Sequence, residues 1–367
     1  MSDKIRIGVI GCGQIGNIHL TRYKDVPGVE IVAVCDVDEA TARRAAEAHG
    51  AGQVYTDFRQ LIARDDIQAV DVALHNNFHA PVSIAAMEAG KDVYCEKPIA
   101  GSYADGRRML DAAAKTGKKL SMQLSSLFSK ETRAARRIID AGELGRIYYA
   151  KSSYYRRRGR CFVDGYGTPA FVQCRTAGGG ALFDMGVYHI AQVLYLLGNP
   201  AVETISGTVC QEIDMYAHRR EEGKFDVEEF AAGLVRLAGG VTLFIEEAWA
   251  VNLGGTDGSK LAGSRGGLSL SPFAFHRTVA DIEMNATADL DAAIFRWEKC
   301  FPDQGAYSSS QHHWAAALAG KVELIPTAEI GLNTMLISEG LYLSSRLGRE
   351  VKPDEVIAQS RSTAIKL

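Results

Sequence analysis

The chain has 367 residues, of which 47% are hydrophobic and 23% charged, with a net charge of −3 at pH 7. That length exceeds one typical core and predicts two domains, and the near-neutral balance offers no general basic field for nucleic acid. No apolar run approaches the ~20 residues that span a bilayer, and the first strand begins too early to leave room for a signal peptide, so a cytoplasmic protein without a membrane partner is expected. The seven cysteines are scattered and form no CxxC pair, which reads as reduced thiols.

Residues 5–16 read IRIGVIGCGQIG, a β-branched run that breaks into Gly11, Gly13 and Gly16, with Gln14 and Ile15 between the last two glycines. Gly11 permits a tight turn, Gly13 lets the backbone approach a pyrophosphate, and Gly16 lets the following helix pack closely on its strand. A second strand, VEIVAVCD, ends at Asp36, whose carboxylate suits a ribose diol and would repel a 2′-phosphate. NAD is therefore expected over NADP; Arg43 and Arg44, the only nearby cations, read as the exposed face of a helix.

The alternation continues with a helix over 39–49, the segment VYTD, a helix over 57–64, the strand AVDVALHN, a helix over 80–89, the strand KDVYCEKP, a helix over 103–116 and the strand KLSMQLS. Such spacing predicts right-handed crossovers and a doubly wound parallel sheet of the Rossmann type, with the ligand crevice at the carboxyl ends of the strands. There lie the glycine turn, the segment His75-Asn76-Asn77-Phe78-His79, and Glu96-Lys97-Pro98. Beyond about 125 a helix over 130–141 ends in AGELG, and segments of β alternation follow with few helices between them. The second half is expected to be α+β with a large, mostly antiparallel open sheet, Gly239-Gly240 marking one hairpin. A helix over about 328–347 is expected to pack back on the first domain. The division is thus 1–124 for the dinucleotide and 125–367 for substrate and oligomerisation.

The N-terminal glycine turn, Asn76-x-x-His79, Glu96-Lys97-Pro98, the AGELG turn and Gly178-Gly179-Gly180-x-x-x-Asp184-x-Gly186 together resemble the glucose–fructose oxidoreductase / inositol dehydrogenase (Gfo/Idh/MocA) family over essentially the whole chain. The resemblance implies a Rossmann domain, an open sheet that commonly makes the oligomer interface, and oxidation or reduction at a carbon of a sugar, cyclitol or similar polyol. It assigns the pocket of the first half to Gly11, Gly13, Gln14, Ile15, Gly16, Asp36, Asn76, His79, Glu96 and Lys97. It also makes Lys97 catalytic, with Glu96 orienting backbone or nicotinamide. Without it, Lys97 reads as a solvated lysine after an edge strand that Pro98 ends. Chemically, an ammonium there can stabilise a developing alkoxide and assist removal of its proton.

A second cluster is Asp184, Tyr188 and His189, at the start of a helical pattern. The family's usual catalytic histidine stands four residues after the aspartate. This chain has Tyr188 at that place and His189 one later. Both are candidate proton acceptors, with Tyr188 favoured on register because a helix carries position 188 one turn above 184, and His189 taking the role if the turn is reset by one residue; Asp184 is expected to bond a substrate hydroxyl and hold the acceptor. Alternatively, His189 is a core histidine bonded to a carbonyl. In Tyr154-Tyr155-Arg156-Arg157-Arg158-Gly159-Arg160 the arginines form a solvated or inter-subunit strand edge, or else Tyr155, Arg156 and Arg158 contact polyol hydroxyls or an anion. The loop over 160–177 is a candidate lid, and His312, His313 and Trp314 are candidates to meet a sugar or to begin a helix. No metal-ligand spacing is present.

The leading expectation is an NAD-dependent dehydrogenase of a ring secondary alcohol in a sugar, glycoside or inositol, working as a homodimer or homotetramer. The alternatives are a glycosidase-like enzyme recycling a tightly bound NAD, and a non-catalytic NAD-binding regulator, against which intact Lys97 and Asp184 argue.

Overall fold

The computed structural model describes residues 4–162 and 169–367, so residues 163–168 of the candidate lid lie outside the described residues. The chain divides into two units, one comprising 1–123, 302–329 and 362–367 and the other 124–301 and 330–361.

The first unit begins β1 (Ile5–Ile10), α1 (Gln14–Tyr23), β2 (Val29–Cys35), α2 (Glu39–His49), β3 (Gln53–Tyr55), α3 (Phe58–Ile62), β4 (Ala69–Val72), α4 (Asn76–Glu88), β5 (Asp92–Cys95), α5 (Tyr103–Thr116) and β6 (Leu120–Met122). All six strands run parallel in the order β3-β2-β1-β4-β5-β6, so the order reverses between β1 and β4, where an open α/β sheet makes its ligand crevice. Apolar strands buried on both faces explain the arrangement: Ile7, Val9, Val70, Val72 and Val93 are all fully shielded. Short polar residues start the helices, with Asp38, Asp57 and Ser102 accepting first-turn N–H groups of α2, α3 and α5.

One boundary differs from the expectation. The segment His75–His79 is not a loop before a helix at 80; α4 begins at Asn76 and carries Pro81 inside it. Pro81 has no N–H for the carbonyl of Asn77, four residues back, and the N–H of Ile365 serves that carbonyl instead at 3.2 Å. The last residues are fastened further by Asp105, which accepts from the Ser362 hydroxyl and from the N–H groups of Thr363 and Ala364.

The second unit contains α6 (Lys130–Asp140), β7 (Ile147–Tyr155), α7 (Cys174–Ala177), α8 (Val187–Leu197), β8 (Val202–Cys210), α9 (Ala217–Glu221), β9 (Phe230–Leu237), β10 (Val241–Ala248), β11 (Lys260–Gly263), β12 (Gly267–Leu270), β13 (Phe273–Val279), β14 (Ile282–Ala286) and α10 (Leu290–Cys300). Eight strands lie in the order β14-β13-β12-β11-β7-β10-β9-β8, antiparallel except for the pair β7 and β10. Gly239 and Gly240, with φ of +82° and +74°, lie in the three-residue loop 238–240 that turns β9 into β10. The stretch Cys174–Leu197 corrects the expectation of no span-length apolar run: it is long and apolar enough by composition, yet 72% of its most apolar 18-residue window is buried inside the protein, as a core segment would be.

The chain then returns to the first unit with α11 (Ser310–Leu318), where Trp314 is fully buried against Ile7, Tyr23, Val26 and Tyr94. The second part of the sequence is therefore not one continuous piece from 125 onward. After α11 come α12 (Thr327–Leu347) and α13 (Pro353–Gln359). Only the first three residues of α12 belong to the first unit. The rest belongs to the second unit and lies on β8 and β9, where Leu341 fills the flat spot left by Gly207 and Gly233, and a Cβ at Gly233 would stand 2.3 Å from it.

Trp314→Ala should cost about 3–5 kcal/mol of stability, the range for emptying a fully buried aromatic site. Urea denaturation followed by far-UV circular dichroism measures it; a cost near zero would contradict the placement of α11 in the first core.

Candidate active site

In the first unit the glycine turn has the close approaches that its sequence demands. Gly11 adopts φ +98°, and a Cβ there would meet the Ala73 carbonyl oxygen at 2.2 Å; a Cβ on Gly16 would stand 1.9 Å from the Gly11 oxygen. A Cβ at Gly13, in contrast, would meet nothing within 4 Å, so the backbone stays open where a pyrophosphate would approach. No side chain caps α1 at Gly13 and no acidic residue stands in its first turn, which suits an anion at the helix start.

Asp36 follows β2, its two oxygens accepting the N–H groups of Cys12 at 2.8 Å and Asp38 at 3.0 Å. A carboxylate has about four lone-pair sites, so acceptor capacity remains for a diol. Val37 is 92% exposed, Arg43 pairs with Glu39 along α2, and Arg44 bonds Thr41. These neighbours supply no cation committed to a 2′-phosphate.

At the ends of β4 and β5 the first unit places Asn76, His79, Glu96 and Lys97. Asn76 opens α4 and is 3% exposed. His79 is fully buried, with Nδ1 2.8 Å from the Pro98 oxygen and Nε2 3.0 Å from the Leu74 oxygen; burial pulls its pKa down. It thus braces two strand ends from inside, a correction to its expected place on the cofactor. Glu96 is 6% exposed, and its Oε2 accepts the backbone N–H of Lys97 at 2.8 Å; the Lys97–Pro98 peptide is cis. Its Oε1 lies 2.9 Å from Nε2 of His19, whose Nδ1 lies 2.9 and 3.0 Å from the two oxygens of Asp71. Neither His19 nor Asp71 stands out in the sequence, because an i+3 histidine after Gly16 and an acidic residue inside an apolar strand gain meaning only once paired. His313 is corrected too: it is 1% exposed, Nε2 accepts the Ile325 N–H at 2.9 Å, and burial pushes its pKa down to about 4, so it is a neutral core residue. His312 bonds Ser309 at the start of α11.

The second unit answers the question of register after Asp184. Leu182–Gly186 is a π-helical turn, and the N–H of Val187 reaches the Leu182 carbonyl five residues back. Such a turn holds one residue more than an α-turn, so position 189 rather than 188 stands one turn past Asp184. Accordingly His189 Nδ1 lies 3.0 Å from Oε2 of Glu247, and Asp184 Oδ2 accepts from Trp249 Nε1 at 2.9 Å. Residues 247 and 249 are two apart at the end of β10 and thus on one side of it. Glu247 is wholly buried, and its Oε1 accepts the Ser152 hydroxyl at 2.8 Å. A carboxylate only accepts, so the Nδ1 of His189 donates and Nε2 is left as the basic nitrogen of the neutral ring. His189 is therefore not bonded to a carbonyl in the core; its side chain is 23% exposed, and Tyr154 stacks on it at 4.9 Å.

Asp184 does not hold the acceptor, as was expected of it; besides Trp249 it takes Arg160 Nε on the same oxygen at 2.8 Å, and Arg160 lies over the Phe171 ring. Tyr188 receives the Ser126 hydroxyl on its backbone carbonyl. Strand alternation puts Tyr154, not Tyr155, on the face of Ser152 and Glu247, and the Tyr155 hydroxyl donates to the Gly255 carbonyl instead. Arg156 lies 6.0 Å from the Tyr154 ring, on that same side. Arg158 donates to the Tyr216 hydroxyl and covers the Phe162 ring at 3.8 Å, outside the Asp184 cluster. Glu247, Trp249 and Arg160 were missed in the sequence; an acidic residue at an inward position of the apolar run GVTLFIEEAWA was the available signal. Among the described residues no group of metal-ligating side chains occurs. A cavity of about 790 Å³ lies across β7 to β10 beside Lys151, Phe244 and Glu246, on strand positions opposite in face to Ser152 and Glu247.

Residues 5–124 match the model of an oxidoreductase family with an NAD-binding Rossmann fold, and residues 132–269 match the model of the GFO/IDH/MocA C-terminal domain. The chain is 28% identical over 359 residues to D-glucoside 3-dehydrogenase of Escherichia coli K12, covering 96% of this chain and 98% of that one. It is 36% identical over 172 residues to inositol 2-dehydrogenase of Salmonella paratyphi B, covering 46% of this chain and 50% of that one. The structure of levoglucosan dehydrogenase in complex with NADH superposes with a TM-score of 0.82 at 21% identity, over 95% of this chain and 99% of that one.

Replacing Asp36 by Ser together with Val37→Arg should shift the kcat/KM ratio toward NADP by about tenfold or more, by removing a repulsion and adding a phosphate partner. A wild-type protein that uses both cofactors equally would overturn the reading of Asp36.

Proposed function

The chain belongs to the Gfo/Idh/MocA family of NAD-binding oxidoreductases, and on that premise we propose that it oxidises a ring secondary alcohol of a sugar, glycoside or inositol, working in the cytoplasm as a homodimer or homotetramer. The observation that carries this reading is the pair of His189 with the buried Glu247. A neutral imidazole oriented by a carboxylate is a base, and a regulator that only senses the dinucleotide has no use for one. The named relatives are dehydrogenases, which supports this reading over a glycosidase that retains its NAD.

When bound, NAD supplies the acceptor for the hydride that leaves the alcohol carbon. Gly11, Gly13 and the start of α1 at Gln14 and Ile15 would hold its pyrophosphate, and Asp36 its ribose diol. His189 Nε2 takes the hydroxyl proton, and Glu247 stabilises the imidazolium that results. The Lys97 ammonium stabilises negative charge developing on the alcohol oxygen. Asp184, its Oδ2 held by Arg160 and Trp249, is the candidate to meet a substrate hydroxyl, with Arg156 on the same side. The outer face of β7 and β10, where Phe244 is 43% exposed beside Tyr149 and the Lys151–Glu246 ion pair adjoins it, is suited to a second copy of the chain.

Incubation of the pure protein with NAD and a panel of inositols, aldoses and glycosides, read at the reduced-nicotinamide absorbance, tests the proposal; no reduction across the panel counts against it. Lys97→Ala should lower kcat by about 10²–10⁴-fold while NADH affinity changes little, because the ammonium acts on the alkoxide. An active variant removes Lys97 from the chemistry.

The proton acceptor is separable by two variants. His189→Asn should lower kcat about 10²–10⁴-fold and abolish the acidic limb of its pH profile, whereas Tyr188→Phe should stay within about threefold of wild type. Glu247→Gln should act in the same direction as His189→Asn, since an amide facing Nδ1 can flip the tautomer. The reverse order of the first two variants would return the role to Tyr188.

A further inference from the structure

The first unit buries a chain of charge that the proposed chemistry leaves unused. His19 is fully shielded on α1, Asp71 is fully shielded in β4, and Glu96 stands at the end of β5. Three hydrogen bonds of 2.9–3.0 Å join the imidazole to both oxygens of Asp71 and to Oε1 of Glu96. Because carboxylates only accept, both ring nitrogens donate and the ring is an imidazolium. The remaining oxygen of Glu96 accepts the backbone N–H of Lys97. We propose that His19 is a positioning residue for Lys97: by bridging Asp71 and Glu96 it fixes the carboxylate that holds the lysine's backbone, and it ties that turn to the helix behind the glycine loop.

The electrostatics agree with the geometry. Burial pulls the His19 pKa down, but the charges and hydrogen bonds of Asp71 and Glu96 outweigh it and push it up to about 10. Burial pushes the Glu96 carboxyl up, and His19 and Lys97 together bring it below its ordinary range. The other titratable groups facing this chain carry no charge at neutral pH. Tyr23 on α1, whose hydroxyl also faces Asp71, and Tyr94 and Cys95 on β5 are uncharged, burial pushing their pKa values well above the ordinary ones. His79 on α4, across from Glu96, is kept neutral by burial, and Arg22 on α1 acts on Tyr94. Since the folded pKa is raised, the bridge stabilises the fold fully below the ordinary 6.5 and is lost as pH rises through about 10. The effect on rate follows from placement, as a shift of about 1 Å in a catalytic group costs on the order of 10²-fold.

The proposal rests on Lys97 acting in turnover, and the experiment separates the two claims. In the wild-type protein, ¹⁵N NMR of labelled histidines should show His19 doubly protonated through about pH 9; a His19 that loses its proton near 6.5 overturns the bridge whatever the activity. His19→Gln should lower kcat by about 10²-fold with NADH affinity, read by fluorescence titration, within about threefold of wild type. Asp71→Asn keeps an acceptor for Nδ1 but removes one charge, so the alkaline fall in kcat should move to lower pH. A purely structural role would leave that limb in place, and an unmoved limb or a fully active His19→Gln overturns the proposal. Should His19→Gln not fold, the NMR titration and Asp71→Asn still decide. If Lys97→Ala is itself fully active, the reading of the lysine falls rather than that of the bridge.

Discussion

A carboxylate shut away from water must be met by donors, and both units organise their reactive residues around that requirement. In the first unit Asp71 and Glu96 are satisfied by one imidazolium, and the spare oxygen of Glu96 is turned on the backbone of Lys97. In the second, Glu247 is satisfied by Ser152 and His189, so that the ring is oriented and its tautomer set. The same need recurs at Glu228, which takes the N–H groups of Gly180 and Leu182 and the Tyr342 hydroxyl, anchoring the start of the π turn. Removing a partner from any of these leaves a buried charge, so each constrains the backbone around it as well as a single side chain.

Glycine and proline set the approaches on which those pairs depend. The contact between Gly16 and the Gly11 carbonyl brings α1 against the turn, and His19 lies on that helix three residues further on. Pro81 inside α4 leaves a carbonyl that the chain's last residues complete through Ile365, which is why 362–367 belong to the first unit. Gly207 and Gly233 do the corresponding work in the second unit by admitting Leu341 of α12 onto the sheet.

The π turn has the most direct consequence for chemistry. Had Leu182–Gly186 been α-helical, residue 188 would stand above Asp184 and the phenol of Tyr188 would take the acceptor's place. The extra residue brings His189 round to Glu247 instead. Asp184, relieved of the histidine, is held by Arg160 and Trp249.

By itself the sequence determined the alternation of strands and helices, the parallel and antiparallel halves, the glycine turn, Asp36 and the choice of NAD, because each depends on residues within a few positions of one another. The resemblance of ordered motifs likewise placed Lys97 and Asp184 at strand and helix ends. Only the tertiary structure decided which side chains meet. Glu247 is 58 residues from His189, and Glu96 is 77 from His19. A partner at that separation is chosen by sheet register and burial, and a single inserted residue in one helical turn changes the face presented. For the same reason His79, His313 and Tyr155, plausible by type and position, proved to be core braces or outward-facing, since burial and strand face, which local pattern does not specify, set what each can touch.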